Sequence, residues 1–281
     1  PSGSNSIWEQ QLKDNNVREK SKSGWMLAPN GKPTNLTERQ WVQVRTQAFK
    51  DWFGDWENDP ANASKVVDEN GEPMVVWHGT NAGDSFSEFM VGDRPLGEND
   101  EPMEFSGGDP TAFIGSHFAK ESKVASDFAE GLYGDARWDN TGGRVYPVFL
   151  NIRNIATKTE REMMQEMRSK SYSAQIIEEA IARDENYYDD IDAGYERYET
   201  DADYRDTINH DALATENEEG DNYYDLAREM GGEYRNTLTK SGVDGIVYRN
   251  VGEGGTSYIA FSPAQIKSAT ANVGTFDQSN P

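Results

Sequence analysis

Two short segments each place a histidine where a predicted strand ends, although the chain has only three histidines. The first, VVWHGT, runs from apolar strand residues into His78, Gly79 and Thr80. Because glycine has no Cβ, we expect Gly79 to let a ligand lie directly against the backbone. The second, GSHFAKESKVASDF, puts His117 at a strand end and Phe128 about three helical turns later. We expect these two flat side chains to line one slot for a flat ligand.

A third segment, TSYIAFSPAQIK, alternates as a strand does. The alternation sends Tyr258 and Ala260 to one face and Ser257 and Ile259 to the other. Taken alone, Ser257 is a strand residue that faces solvent. Each of the three segments is weak evidence by itself, and their order along the chain is what gives them weight.

The elements that position these segments are strands alternating with short helices. LTERQWVQVRTQAFKDWFGDWE has aromatic residues at mostly helical spacing, and Thr37 with Gln40 forms a capping box at its start. SKVVDENGEPMVVWHGT predicts a β-hairpin around an Asn-Gly turn. Residues 83–112 are rich in Gly, Asp and Pro and predict an irregular loop. AFIGSHFA, RVYPVFLNIRN, GVDGIVYRN and TSYIAFSPAQIKSA then predict strands, with a helix in KESKVASDFAEGLYG.

Residues 157–236 differ from the rest, because they are acidic, dotted with tyrosine and helix-prone. Their Asp residues lack the Asp-x-Asp-x-Asp-Gly order of a calcium loop. We therefore expect a solvated helical insertion here and no metal site.

The bulk composition limits the classes of function. A formal net charge of −23 repels phosphate backbones and anionic membranes. The absence of cysteine excludes disulfides and thiolate chemistry. No apolar run approaches the roughly 20 residues that span a bilayer. Because the chain begins Pro-Ser-Gly without Met, we expect it to be a piece of a longer protein.

The three segments together resemble the ADP-ribosyltransferase fold of the diphtheria-toxin and poly(ADP-ribose) polymerase branch, whose signature is His, Tyr and Glu on three strands. Trp77-His78-Gly79-Thr80 is similar to Trp-His-Gly-Ser of that branch, GSHFAKESKVASDF to its Gly-x-Tyr-Phe-Ala segment and following helix, and YIAFSPAQIK to its final strand. VRTQAFKDWFGDWENDPANASKVVDENGEPMVVWHGT and SPAQIKSATANVGTFDQSNP more closely resemble the ADP-ribosyltransferase-type domains of polyvalent proteins in phages and mobile elements.

The resemblance implies an α+β fold, a split antiparallel β-sandwich with an N-terminal helical lead and an acidic helical insertion. Its expected parts are a polar lead and aromatic helix over residues 1–62, two halves of the transferase domain over 63–156 and 237–281, and the insertion over 157–236.

The resemblance also implies that NAD⁺ is the substrate and that no metal takes part. Gly79 would bind the nicotinamide carboxamide and His78 the adenosine ribose. His117 stands where the family has a stacking Tyr, and Phe128 where it has the second ring. Ala125 or Ser126 stands where the family has a serine that reaches the carboxamide. Thr80, Phe118 and Tyr258 complete the expected binding residues.

The sequence departs from the family at the catalytic Glu, whose position holds Ser257. A carboxylate there stabilises the oxocarbenium charge, and a neutral hydroxyl does so only weakly. Glu253 is the nearest carboxylate upstream, and an extended chain would leave it roughly 13 Å away unless the Gly-rich turn curls back. Gln265 is a weaker candidate for the missing polar group.

The leading hypothesis is a mono-ADP-ribosyltransferase that modifies a macromolecule in the cytoplasm of a bacterial host, a protein rather than a nucleic acid, as a phage or mobile-element effector. Two alternatives come from other classes. One is a catalytically silent module of the same fold that binds NAD⁺, ADP-ribose or a protein, and the other is an acidic inhibitor that mimics nucleic-acid charge.

Overall fold

The computed structural model describes most of the chain between residue 26 and residue 276. The described residues are 26–80, 89, 110–130, 143–170, 177–178, 180–182, 191–201, 203–205, 207–208, 223–251, 254–270 and 276. Glu253 and nearly all of the predicted loop at 83–112 lie outside them.

Seven strands form one sheet in the order β4-β5-β6-β2-β1-β3-β7. The strands are β1 (Val76–Thr80), β2 (Ser116–Ala119), β3 (Arg144–Leu150), β4 (Ile155–Thr159), β5 (Gly245–Arg249), β6 (Thr256–Ala260) and β7 (Ile266–Ser268). The helices are α1 (Glu38–Gln43), α2 (Gln47–Phe53), α3 (Ser122–Ala129), α4 (Glu160–Lys170), α5 (Ile191–Thr200) and α6 (Tyr223–Lys240). The predicted α+β class is confirmed.

Strand β1 lies between β2 and β3 and is paired very unequally with these two neighbours. Its five residues pair antiparallel with β3, whereas its pairing with β2 is the single position Trp77 opposite Ala119. On the other side, β5 and β6 pair antiparallel over five positions, from Gly245 opposite Ala260 to Arg249 opposite Thr256. The pairing of β1 with β2 is therefore much shorter than its pairing with β3, and the motif residues lie along this seam.

The predicted aromatic helix is two helices. Thr37 begins α1 with the expected capping box to Gln40. The prediction of one continuous helix is wrong, because Thr46 has extended backbone angles and its hydroxyl accepts the amide of Phe49 to begin α2. Trp52 donates its indole N–H to the carbonyl of Ala264 at 2.9 Å, and this bond anchors the helical lead to the end of the sheet.

A buried ion pair also stabilises the N-terminal helical lead. The guanidinium of Arg45 lies 2.6 Å from Glu72, whose side chain is fully buried, and 3.9 Å from the ring centre of Trp41. The Asn70-Gly71 turn beside Glu72 forms as predicted, with the amide of Gly71 donating to Asp68. The first arm of that hairpin is only an isolated bridge between residues 67 and 73.

The described residues form two compact units. The first contains residues 1–89, 117–157 and 243–281, and the second contains 90–116 and 158–242. In the second unit, α6 contacts α4, and the hydroxyl of Tyr234 donates to Glu166 at 2.6 Å. The four-part division expected from the sequence stays a prediction. Within the described ranges, no helix is both long enough and apolar enough to cross a bilayer.

Candidate functional site

His78 lies in the middle of β1 and reaches the neighbouring strand through its side chain. Its Nδ1 lies 2.8 Å from the carbonyl oxygen of His117. Because a carbonyl oxygen can only accept, Nδ1 carries the proton, and Nε2 is the acceptor of the neutral ring. The imidazole of His78 on β1 thus donates a hydrogen bond to a backbone carbonyl of β2, close to the single position at which β1 and β2 pair.

The His78 ring is packed on one face of the sheet. Phe89 and Phe118 surround it at centroid distances of 5.1 and 5.6 Å. Burial is the main cause that lowers the pKa of His78 below its ordinary value, the hydrogen bond to the His117 backbone opposes this shift, and the charge interaction with the His117 ring lowers the pKa slightly further. The ring is therefore neutral at pH 7, and it can accept a hydrogen bond from a sugar hydroxyl at Nε2.

Two of the expected binding residues belong to the core on this same face. Phe118 and Tyr258 are buried in one apolar cluster with Val76. Since residues two apart on a strand share a face, His78 lies on the side of Val76. Phe118 thus packs on His78 from within the core, and Tyr258 belongs to the same apolar cluster. Thr80, the last residue of β1, is half-buried and pairs with Arg144.

Gly79 faces the opposite side of the sheet, where helix α3 covers it. A methyl group placed on Gly79 would lie 2.0 Å from the carbonyl oxygen of Ala125. The expectation that the missing Cβ admits a ligand is therefore wrong for this face, because the helix backbone fills that space. A ligand carboxamide would have to meet the backbone of Gly79 along the edge of β1 at the seam with β2.

The sequence left open whether Ala125 or Ser126 stands at the position of the family's serine, and the orientation of α3 distinguishes the two residues. Ala125 is buried against Gly79, whereas Ser126 lies one position further round and donates its hydroxyl to the carbonyl of Ser122 at 3.0 Å. The third relevant residue of the helix, Phe128, is 42% exposed, which is unusual for a phenylalanine. Its ring is available to stack on a ligand.

His117, Tyr248 and Ser257 form a group on the face that carries Gly79. The hydroxyl of Tyr248 lies 3.1 Å from Nδ1 of His117. Tyr248 stands directly opposite Ser257 in the β5–β6 pair, so the two side chains share a face. Alternation puts His117 on the side opposite Phe118, which agrees with this contact.

Sequence reasoning missed Tyr248. The β5–β6 hairpin around the turn VGEGGT carried a signal, because its register sets Tyr248 opposite Ser257 once the turn is fixed. The contact with His117 spans 131 residues, and no local pattern indicates it.

Ser257 is buried, with 3% of its surface exposed, so the expectation that it faces solvent is wrong. The position that the resemblance predicts for a catalytic Glu is thus an interior position with a neutral hydroxyl. Gln265 is fully used elsewhere, because its amide nitrogen donates to Asn151 and Asp244 and its oxygen accepts the amides of Phe261 and Ser262. Glu253 lies outside the described residues and stays a prediction.

No three metal-ligating side chains gather into a site in the part of the chain that the structure describes. The donors near the seam are imidazole, phenol, hydroxyl and backbone groups. Such donors suit a sugar and a carboxamide, which offer hydroxyl and amide groups.

Comparison with known proteins gives one match. A family model described as "ADP-ribosyltransferase in polyvalent proteins" matches residues 68–276, which is more than half of the chain and spans all seven strands. Neither the curated proteins nor the solved structures gave a match.

Proposed function

The chain belongs to the ADP-ribosyltransferases of polyvalent proteins, and on that premise we propose that it cleaves NAD⁺ at the nicotinamide–ribose bond and transfers one ADP-ribose to a macromolecule. The observation that carries the proposal is the seam between β1 and β2. The hydrogen bond from His78 to His117 and the backbone of Gly79 lie at this seam, and the exposed ring of Phe128 lies on α3. The resemblance predicts that β1, β2 and α3 together hold NAD⁺.

In the proposed reaction, the bond between ribose C1′ and the nicotinamide nitrogen breaks. Its electron pair returns to the ring nitrogen, and neutral nicotinamide leaves. C1′ carries the positive charge as an oxocarbenium ion until a nucleophilic atom of the acceptor bonds to it and releases its proton to solvent. The protein must therefore hold the leaving ring, fix the ribose and stabilise the positive charge.

Gly79, His117 and Phe128 hold the nicotinamide in this proposal. The backbone of Gly79 exchanges hydrogen bonds with the carboxamide, and the two flat side chains stack on the ring. Tyr248 fixes the orientation of the His117 imidazole through the bond to Nδ1. Nε2 of the neutral His78 ring accepts a hydrogen bond from a hydroxyl of the adenosine ribose.

The acceptor that we propose is a protein of a bacterial host cell, modified in the cytoplasm once a phage or mobile element has delivered the effector. The formal net charge of −23 opposes the approach of a nucleic-acid backbone at long range and does not oppose a neutral or cationic protein. A single addition fits a site in which Ser257 replaces the family's Glu.

The test is incubation with NAD⁺ and bacterial lysate, followed by measurement of released nicotinamide and by mass analysis of labelled proteins. We expect release and labelling with the wild-type chain and loss of both with His78→Ala. His210→Ala removes a histidine elsewhere in the chain and is expected to behave as wild type. Thermal unfolding of each variant separates a lost site from a lost fold. A folded wild-type chain that releases no nicotinamide contradicts the proposal.

A second candidate function rests on the burial of Ser257. A neutral hydroxyl at the catalytic position suits a module that binds NAD⁺ or ADP-ribose without cleaving the bond. Calorimetry with NAD⁺ distinguishes the two functions: binding without nicotinamide release supports the silent module, and release that depends on His78 excludes it.

A further inference from the structure

The proposed reaction needs a carboxylate, and the structure brings a different glutamate to the start of β6. Glu121 lies two residues after the last residue of β2 and directly precedes α3. The amide of its neighbour Lys120 donates to the carbonyl of Thr256 at 2.9 Å, so the end of β2 is bonded to the residue before Ser257. Glu121 is thus fixed beside the position where the family has its catalytic Glu.

The side chain of Glu121 points toward that strand. A methyl group placed on Gly255 would lie 3.0 Å from Oε2 of Glu121. Gly255 is two residues before Ser257, so their Cα atoms lie at most about 7 Å apart. Glu253 is four residues before Ser257 in the sequence and lies outside the described residues.

The charge of Glu121 also reaches the strand electrostatically. Burial raises the pKa of Tyr258, and the negative charge of Glu121 raises it further. Tyr258 immediately follows Ser257 and its side chain lies on the opposite face of the strand, so the charge of Glu121 acts on β6 one residue from the catalytic position.

Glu121 stands at a helix cap where its residue type is a poor choice. It is the N-cap of α3, a position that favours Ser, Thr, Asp or Asn, and its side chain makes no capping bond. It is also exposed, so its carboxylate is hydrated and can turn toward a ligand. A residue type that is unfavourable for its local structure, without a contact that compensates for it, is typical of functional sites.

We propose that Glu121 supplies the catalytic carboxylate that Ser257 lacks. Its carboxylate accepts a hydrogen bond from a hydroxyl of the nicotinamide ribose and stabilises the positive charge at C1′ as nicotinamide leaves. This inference rests on the proposed function. The carboxylate comes from the β2–α3 junction, and the bond changes are those given above, with no further reactant.

The experiment compares Glu121→Gln with Glu130→Gln, which removes a carboxylate from the other end of α3, and with Glu253→Gln. We expect Glu121→Gln to lower kcat for nicotinamide release by about 10²- to 10³-fold, with the Kd for NAD⁺ by calorimetry changed less than about threefold and the melting temperature unchanged. Glu130→Gln should stay near wild type, and Glu253→Gln tests whether the glutamate upstream of Ser257 supplies the carboxylate instead. Formate added to Glu121→Ala should restore part of the rate and leave Glu130→Ala unaffected.

Three results would overturn the inference. The first is a Glu121→Gln protein with a rate within about threefold of wild type while the wild type is active, above all if Glu253→Gln has lost activity. The second is a loss of rate matched by an equal loss of NAD⁺ binding, because that describes a binding role. The third is a folded wild-type chain that releases no nicotinamide, which overturns the proposed function as well.

Discussion

The hydroxyl of Tyr248 lies 3.1 Å from Nδ1 of His117, and this contact joins strand β5 to strand β2 across the intervening β6. Tyr248 also stands opposite Ser257 in the β5–β6 ladder, so one residue of β5 pairs with Ser257 and bonds to His117. In the proposed function Tyr248 is a positioning residue, because it would act on the ligand through His117.

Tyr248→Phe is expected to lower kcat for nicotinamide release by about tenfold and the free energy of unfolding by about 1 kcal/mol, because it removes one hydrogen bond. Tyr234→Phe is the matched control, since it removes the hydroxyl that donates to Glu166 in the other unit. The control should lose comparable stability in urea and keep its turnover. Equal turnover in both variants would show that the Tyr248 bond only stabilises the fold.

Gly79→Ala is expected to destabilise the protein by about 1–3 kcal/mol, because the new methyl group would meet the carbonyl oxygen of Ala125 at 2.0 Å. Gly232→Ala in α6 is the control, since no atom lies within 4 Å of the methyl position there. That change should stabilise the helix by roughly 0.5–1 kcal/mol. Urea unfolding of both variants measures the difference. A Gly79→Ala protein as stable as wild type would mean that α3 does not pack on this glycine.

Phe128→Ala is expected to raise the Kd for NAD⁺ by about five- to tenfold, or about 1–1.4 kcal/mol, with little change in stability. Its ring is 42% exposed, so the fold gains little from it. Leu27→Ala is a control of similar exposure, 44%, outside the predicted site. Calorimetry with NAD⁺ measures both. If both variants bind NAD⁺ with the wild-type affinity, Phe128 does not stack on the ligand.

The stability of the protein is expected to fall as the pH decreases below about 6.5, the ordinary pKa of histidine. Burial lowers the pKa of His78 in the folded protein, so the unfolded chain binds more protons between the two pKa values. The free energy of unfolding therefore rises with pH across that window, and the stability is lost as the pH falls toward the lower value.

His78→Gln removes this titration. The slope of unfolding free energy against pH should be smaller in the variant by up to about 1.4 kcal/mol per pH unit below about pH 6.5. Urea unfolding at several pH values measures the slope, and the carboxylates contribute to both proteins alike. Identical slopes would contradict a neutral, buried His78.

The sequence by itself determined the features that depend on short stretches of chain. Thr37 and Gln40 form their capping box, the Asn70-Gly71 turn forms, and the strands of the three motif segments lie where their alternation indicated. The family followed from the same segments, because its motif residues are neighbours in the chain. These features are local, so propensity and periodicity were enough to find them.

Tertiary structure alone decided which of these residues meet. The bond from Tyr248 to His117 and the covering of Gly79 by Ala125 join elements far apart in sequence, as does the approach of Glu121 to Gly255. Each depends on strand order, register and the placement of a helix on one face of the sheet. A shift of one residue in a strand would send its side chains to the opposite face without changing the local pattern. The sequence therefore identified the elements of the site, and only the packing of those elements decided which groups stand together.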